Sequence, residues 1–137
     1  MRSLGIFLLL LLLVGCGGGP YQVAPVSGRV TLNGKPLSSA SVTFQPIGEG
    51  KMNPGPGSGA FTDSDGRYTL KLTGTETSGA VVGKHTVMIR IVHAENTADD
   101  RPKKFKQLPD KYNRRTKLEF EVPVGGTNSA DFQLTSP

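Results

Sequence analysis

Two histidines, a pair of aspartates, a glycine-rich stretch, one cysteine and a run of cations are the groups in this 137-residue chain that could do chemistry. His85 and His93 bracket the alternating run Val87, Ile89, Ile91 and share the parity of its apolar side. Eight residues of strand set them roughly 26 Å apart, too far to hold one metal ion, so both read as strand-end histidines partnered by backbone or water. Asp63-Ser64-Asp65-Gly66 carries the aspartate and glycine that a type I turn prefers at its first and fourth positions. Paired carboxylates and a glycine bend also begin a calcium loop, but the further ligands and the closing glutamate are missing. Gly55-Pro56-Gly57-Ser58-Gly59 looks like a phosphate cradle, yet such a loop opens a helix and no helical pattern follows. A histidine base with a serine or lysine nucleophile is available by residue type, but no spacing places them together. The expectation is a non-enzyme with no catalytic residues, no metal and no cofactor.

Cys16 is different, because its position supplies a chemistry. It ends a greasy run that starts at Leu4 and closes with Leu13-Val14-Gly15-Cys16, after the short basic start Met1-Arg2-Ser3. The apolar part is about eleven residues long against the roughly twenty that a membrane-spanning helix needs, so it reads as a secretion signal. Small residues before a lone cysteine resemble the bacterial lipobox, which implies diacylglyceration of the thiol, cleavage before Cys16 and acylation of the new amino terminus. An ordinary signal peptide with a chance cysteine is the alternative. Residues 1–15 are thus expected to be a lipoprotein signal peptide. Residues 16–25, with glycines, prolines and no apolar period, read as a flexible tether. The implied place of action is the bacterial cell envelope, facing outside the cytoplasm (periplasmic), with the membrane as partner through lipidated Cys16.

Removing residues 1–15 leaves 122 residues, enough for one domain, 26–137, with a core of its own. With Cys16 its only cysteine, that domain has neither disulfide nor thiolate cluster to support it. The net charge of +5 is unevenly spread. Eight basic residues lie between Arg101 and Lys117 against the single acid Asp110, a local +7, so the rest of the mature chain is about −3. Lys103, Lys104, Lys106, Arg114 and Arg115 are therefore candidates for contact with anionic lipid or an envelope polyanion. Such a run also suits a merely solvated loop. Nucleic acid is not an expected partner, because the run lacks the repeated aromatics of a stacking surface. No protein partner is named by the sequence.

The elements that must position these residues are strands. Val26, Gly28, Val30 and Leu32 alternate with polar residues, and Asn33-Gly34 suits a tight hairpin turn leading to a partner strand with Ala40, Val42 and Phe44 inward. Gln45 to Gly59 reads as a long loop, followed by a short strand about Phe61 and an alternating run Tyr68, Leu70, Leu72. Thr73 to Val82 reads as a polar connection. Val87, Ile89 and Ile91 make the most apolar strand, a candidate for a sheet interior. His93 to Thr116 is a long basic segment in which Phe105, Leu108 and Tyr112 either pin the chain to the body or leave it a functional loop. Leu118, Phe120, Val122 and then Ala130, Phe132, Leu134 supply the last two strands. About seven short strands separated by turns predict an all-β, single Greek-key β-sandwich with Val30, Val42, Phe44, Leu70, Ile89, Phe120 and Phe132 in its core.

In order and spacing these pieces resemble the carboxypeptidase regulatory-like domain of transthyretin-like fold. The matching residues are Gly28-x-Val30, Gly34-Lys35-Pro36-Leu37, Ala40-x-Val42-x-Phe44 and Thr62 through Leu70. Gly79-Ala80, Gly83-Lys84, Pro109-x-Lys111-Tyr112 and Asn128 to Leu134 continue the match over most of the mature chain. Val82-Gly83-Lys84-His85 departs from the pattern, which has a proline before the glycine and an aromatic after the lysine. The resemblance implies a non-catalytic binding or structural module. Transthyretin-like hydrolases of hydroxyisourate share the fold, but they need a terminal Tyr-Arg-Gly-Ser where this chain has Leu134-Thr135-Ser136-Pro137.

Overall fold

In the computed structural model, residues 21–48, 50, 53–92 and 108–136 are described. The alternating runs become strands: β1 (Val23–Ala24), β2 (Ser27–Leu32), β3 (Lys35–Pro36), β4 (Ala40–Pro46), β5 (Ser58–Phe61) and β6 (Arg67–Thr69) come first. β7 (Lys71–Leu72), β8 (Ala80–Val81), β9 (Gly83–Ile91), β10 (Glu119–Val122) and β11 (Phe132–Leu134) follow, with a 3-10 turn at Asp110–Tyr112. An antiparallel sheet runs β10-β9-β4-β5-β7. A second sheet runs β11-β2-β3, with β6 paired to β2 and β11 lying parallel to β2. β1 and β8 form a small third pair. The protein is all-β with several sheets, an arrangement consistent with a β-sandwich.

Asn33 and Gly34 both take positive φ, 51° and 80°, and close a two-residue hairpin turn as their residue types dictate. Its second strand is β3 rather than Ala40 to Phe44. Pro36 offers no N–H to extend the ladder, and Ser39 turns the chain through a positive φ of 54°. β4 therefore leaves for the other sheet and pairs with β5 and β9. The run Tyr68, Leu70, Leu72 also crosses: β6 pairs with β2, while β7 pairs with β5. The loop expected from Gln45 to Gly59 is shorter, because Gln45 and Pro46 finish β4 and Ser58 and Gly59 begin β5. Within the expected connection Thr73 to Val82, Ala80–Val81 pairs with Val23–Ala24, so the folded body takes in residues assigned above to the tether.

Val30, Val42, Phe44, Leu70 and Ile89 are fully buried and Phe132 nearly so. Phe44 joins the two sheets, its ring centroid 5.7 Å from Phe120 and 6.1 Å from Phe132. Phe120 is a correction to the expected core: it lies on β10, the sheet edge, and is only partly buried. In the other sheet, the phenol of Tyr68 donates to the carbonyl of Ala130, satisfying two groups that burial would otherwise strand.

Candidate functional site

The chain enters the body at one end. Val82 N–H donates to Gln22 O at 2.8 Å, Ile47 N–H donates to Lys84 O at 2.9 Å, and Tyr21, Pro46, Pro54 and Val81 line a cleft of about 300 Å³. β9 starts here at Gly83 and runs to Ile91, whose partner is Ala40. Val92 N–H donates to Ser39 O at that far end.

His85 stands three residues into β9, inside the strand rather than at its end, and is completely buried. It shares a register row with Phe120 and Pro46, and its ring lies 5.5 Å from that of Phe44. Nε2 is 2.6 Å from Val81 O. A carbonyl only accepts, so Nε2 carries the proton and Nδ1 is left without a partner. Burial pushes this imidazole below its ordinary 6.5, partly opposed by the hydrogen bond to Val81. A base whose folded pKa is depressed favours the unfolded state once protons bind there first. Its contribution to stability is therefore complete above about pH 6.5 and is lost as pH falls from 6.5 toward the folded value. His85→Gln keeps an N–H for Val81 and removes the titration. Urea midpoints measured from pH 8 to 5 are expected to fall more steeply below 6.5 in wild type than in His85→Gln; parallel curves would contradict the buried neutral ring. His93 lies outside the described residues.

Asp63 serves its own turn. Its Oδ1 accepts N–H bonds from Asp65 at 2.9 Å and Arg67 at 3.0 Å, while Gly66 N–H returns to Asp63 O. These bonds close the turn that the residue types suggested, and no group of three metal-capable side chains occurs among the described residues.

Of the five cations singled out in the sequence, Arg114 and Arg115 are placed together just after the 3-10 turn; Lys103, Lys104 and Lys106 lie outside the described residues, as does Cys16. Arg114 pairs with Asp110 at 3.3 Å, both well exposed, and Arg115 N–H donates to Asp110 O at 2.9 Å. The turn is pinned, as two of the three apolar residues in the segment suggested: Leu108 and Tyr112 are buried in the core. Thr135 N–H donates to Tyr112 OH at 3.0 Å, and Thr116 Oγ1 donates to Val87 O. Two cations were missed by the candidate set. Lys111 sits with Nζ 4.9 Å from the centre of the Tyr112 ring, and Lys117 is exposed just before β10. Their inclusion in the basic run was the available signal.

The 3-10 turn and the chain entry meet different parts of the body, and Lys117 stands level with Val87, at the middle of β9. Tyr112 meets Thr135, which follows β11 next to the Asn33 turn, where Asn33 N–H donates to Leu134 O. Gln22 meets Val82, before β9 begins. Asp63 and Asp65 are toward the far end, but across β4 from β9. The described residues contain no helix long and apolar enough to cross a membrane. Comparison with family models, with curated proteins and with solved structures finds no match to this chain in any of the three.

Proposed function

We propose that this protein is a lipid-anchored, non-catalytic module of the bacterial cell envelope, a Greek-key sandwich of transthyretin-like type that binds or spaces a partner outside the cytoplasm. The anchor rests on Leu4 to Cys16, where small residues precede the lone cysteine. The fold assignment is supported by the chain crossing between sheets from β3 to β4 and from β6 to β7, connections of the kind a Greek key uses. One observation carries the non-catalytic reading: His85, the candidate base among the described residues, is fully buried against the Phe44 ring with its N–H spent on Val81. A base must reach the proton it removes, and this one does not reach the surface.

Two acyl chains give stable attachment, at about 0.8 kcal/mol per buried methylene. Wild-type protein is expected in the membrane fraction and to incorporate labelled palmitate, whereas Cys16→Ala is expected to do neither. Palmitate incorporation or undiminished membrane fractionation by Cys16→Ala would overturn the anchor.

A further inference from the structure

We propose that Asn33 is a self-modifying site: its carboxamide closes on the Gly34 nitrogen and loses ammonia when Ser136 lets go of it, so the segment after β11 is the latch that sets the rate. The chemistry belongs to the residue pair. Of the five asparagines in the chain, Asn33 alone precedes a glycine. A Cβ placed at Gly34 would meet nothing within 4 Å, so nothing shields that side of its backbone. The Gly34 nitrogen attacks Asn33 Cγ, an N–Cγ bond forms, the Cγ–Nδ2 bond breaks, and Nδ2 leaves as ammonia with the Gly34 amide proton. Water then opens the resulting succinimide. Addition at Cγ breaks the new bond and leaves an aspartyl residue at position 33, whereas addition at the main-chain carbonyl breaks the old peptide bond and leaves an isoaspartyl one. One carboxamide and one water become one carboxylic acid and one ammonia, and no oxidant or cofactor is required.

The folded chain keeps the two reacting groups apart. Asn33 and Gly34 have φ of 51° and 80°, the values of a type I′ turn, in which ψ of the first residue stands near about 30°. At that angle Cβ of Asn33 and the Gly34 nitrogen lie nearly on opposite sides of the Asn33 Cα–C bond, while ring closure needs them on the same side. The carboxamide is also gripped at both polar atoms: Nδ2 donates to Ser136 Oγ at 2.8 Å, and Oδ1 accepts from Ser136 N–H at 3.1 Å. Asn33 N–H donates to Leu134 O and Thr135 N–H donates to Tyr112 OH, so residues 134–136 are themselves held in place. Cyclisation therefore waits for a local opening in which Ser136 departs and the turn unwinds. The isoaspartyl product adds a methylene to the main chain, which a two-residue turn has no room for. The pairing of Leu32 with Lys35 is then lost, and the opening becomes permanent.

The test uses the full chain in neutral detergent, kept in warm, mildly alkaline buffer. Position 33 is followed by peptide mass spectrometry with chromatographic separation of the aspartyl and isoaspartyl forms. One hydrogen bond shifts an opening equilibrium by about two- to tenfold, so Ser136→Ala, which removes the hydroxyl, is expected to react about two- to tenfold faster than wild type. Ser136→Pro, which removes the N–H as well, is expected to be faster still, and a free peptide of residues 30–36 fastest. Equal rates in wild type and both variants would overturn the latch, as would a wild-type rate equal to that of the peptide. Phe120→Ala separates the latch from general instability, because it weakens the fold without touching Ser136 and is expected to leave the rate at position 33 unchanged. Acceleration by Phe120→Ala matching that of Ser136→Pro would overturn the latch in favour of global unfolding. None of these outcomes depends on lipid attachment at Cys16.

Discussion

Phe44→Ala is expected to remove about 3 to 5 kcal/mol of folding stability, the cost of emptying a large buried aromatic site. Phe44 is fully buried on β4, the middle strand of the five-stranded sheet, and its ring meets His85, Phe120 and Phe132 at 5.5, 5.7 and 6.1 Å. Those neighbours come from β9, β10 and β11, so the cavity opens where both sheets meet and no single element can move to fill it. Domains of this size have about 5 to 15 kcal/mol in total, so the variant loses a large share of its stability. Phe120→Ala should cost clearly less, because that ring is partly solvated at the sheet edge. Urea denaturation of both variants measures the difference, and equal losses would contradict the assigned centre of the core.

Gly28→Ala is the second large effect, and a single methyl group causes it. A Cβ at Gly28 would lie 1.9 Å from Ala130 O and 2.4 Å from Ala130 C, distances no real pair of atoms adopts. The obstacle is backbone, so no rotamer relieves it. Gly28 faces Tyr68 across β2 and β6, and the Tyr68 phenol donates to that same Ala130 carbonyl. Making room for the methyl means moving residues 127–131 off β2. Overpacking of this kind costs about 1 to 3 kcal/mol, and a stranded buried carbonyl adds about 1 to 3 more. A melting temperature unchanged by Gly28→Ala would show that this approach is not as close as described.

Much of this arrangement was readable from period and turn chemistry. Alternation located β2, β4, β9, β10 and β11 and put Val30, Val42, Phe44 and Ile89 inward, because period two reports which face a residue takes. It does not report which strand lies alongside. The Asn33-Gly34 turn was legible, yet β4 crossing to the other sheet was not, since the local pattern is the same for either partner. Tyr68, Leu70 and Leu72 kept perfect alternation while the chain changed sheets beneath them. His85 shared the parity of the buried side, which was the visible clue; its bond to Val81 depends on a neighbour that only the fold supplies. The density of cations from Arg101 to Lys117 was plain in the sequence, but the packing of the turn at Asp110–Tyr112 against the residue after β11 is tertiary. Leu108 and Tyr112 showed that the segment had apolar residues to spend on docking, and Thr116 and Thr135 as their polar supports carried no local signal.

The measurement that bears most directly on a non-catalytic module is the NMR titration of the His85 ring, read through its nitrogen and carbon resonances from pH 8 to 4. A buried imidazole with Nε2–H held on the Val81 carbonyl predicts the Nε2-protonated tautomer throughout the neutral range and a midpoint clearly below 6.5. An ordinary midpoint near or above 6.5, with ring protons exchanging freely with water, would put that imidazole within reach of a substrate and contradict the account.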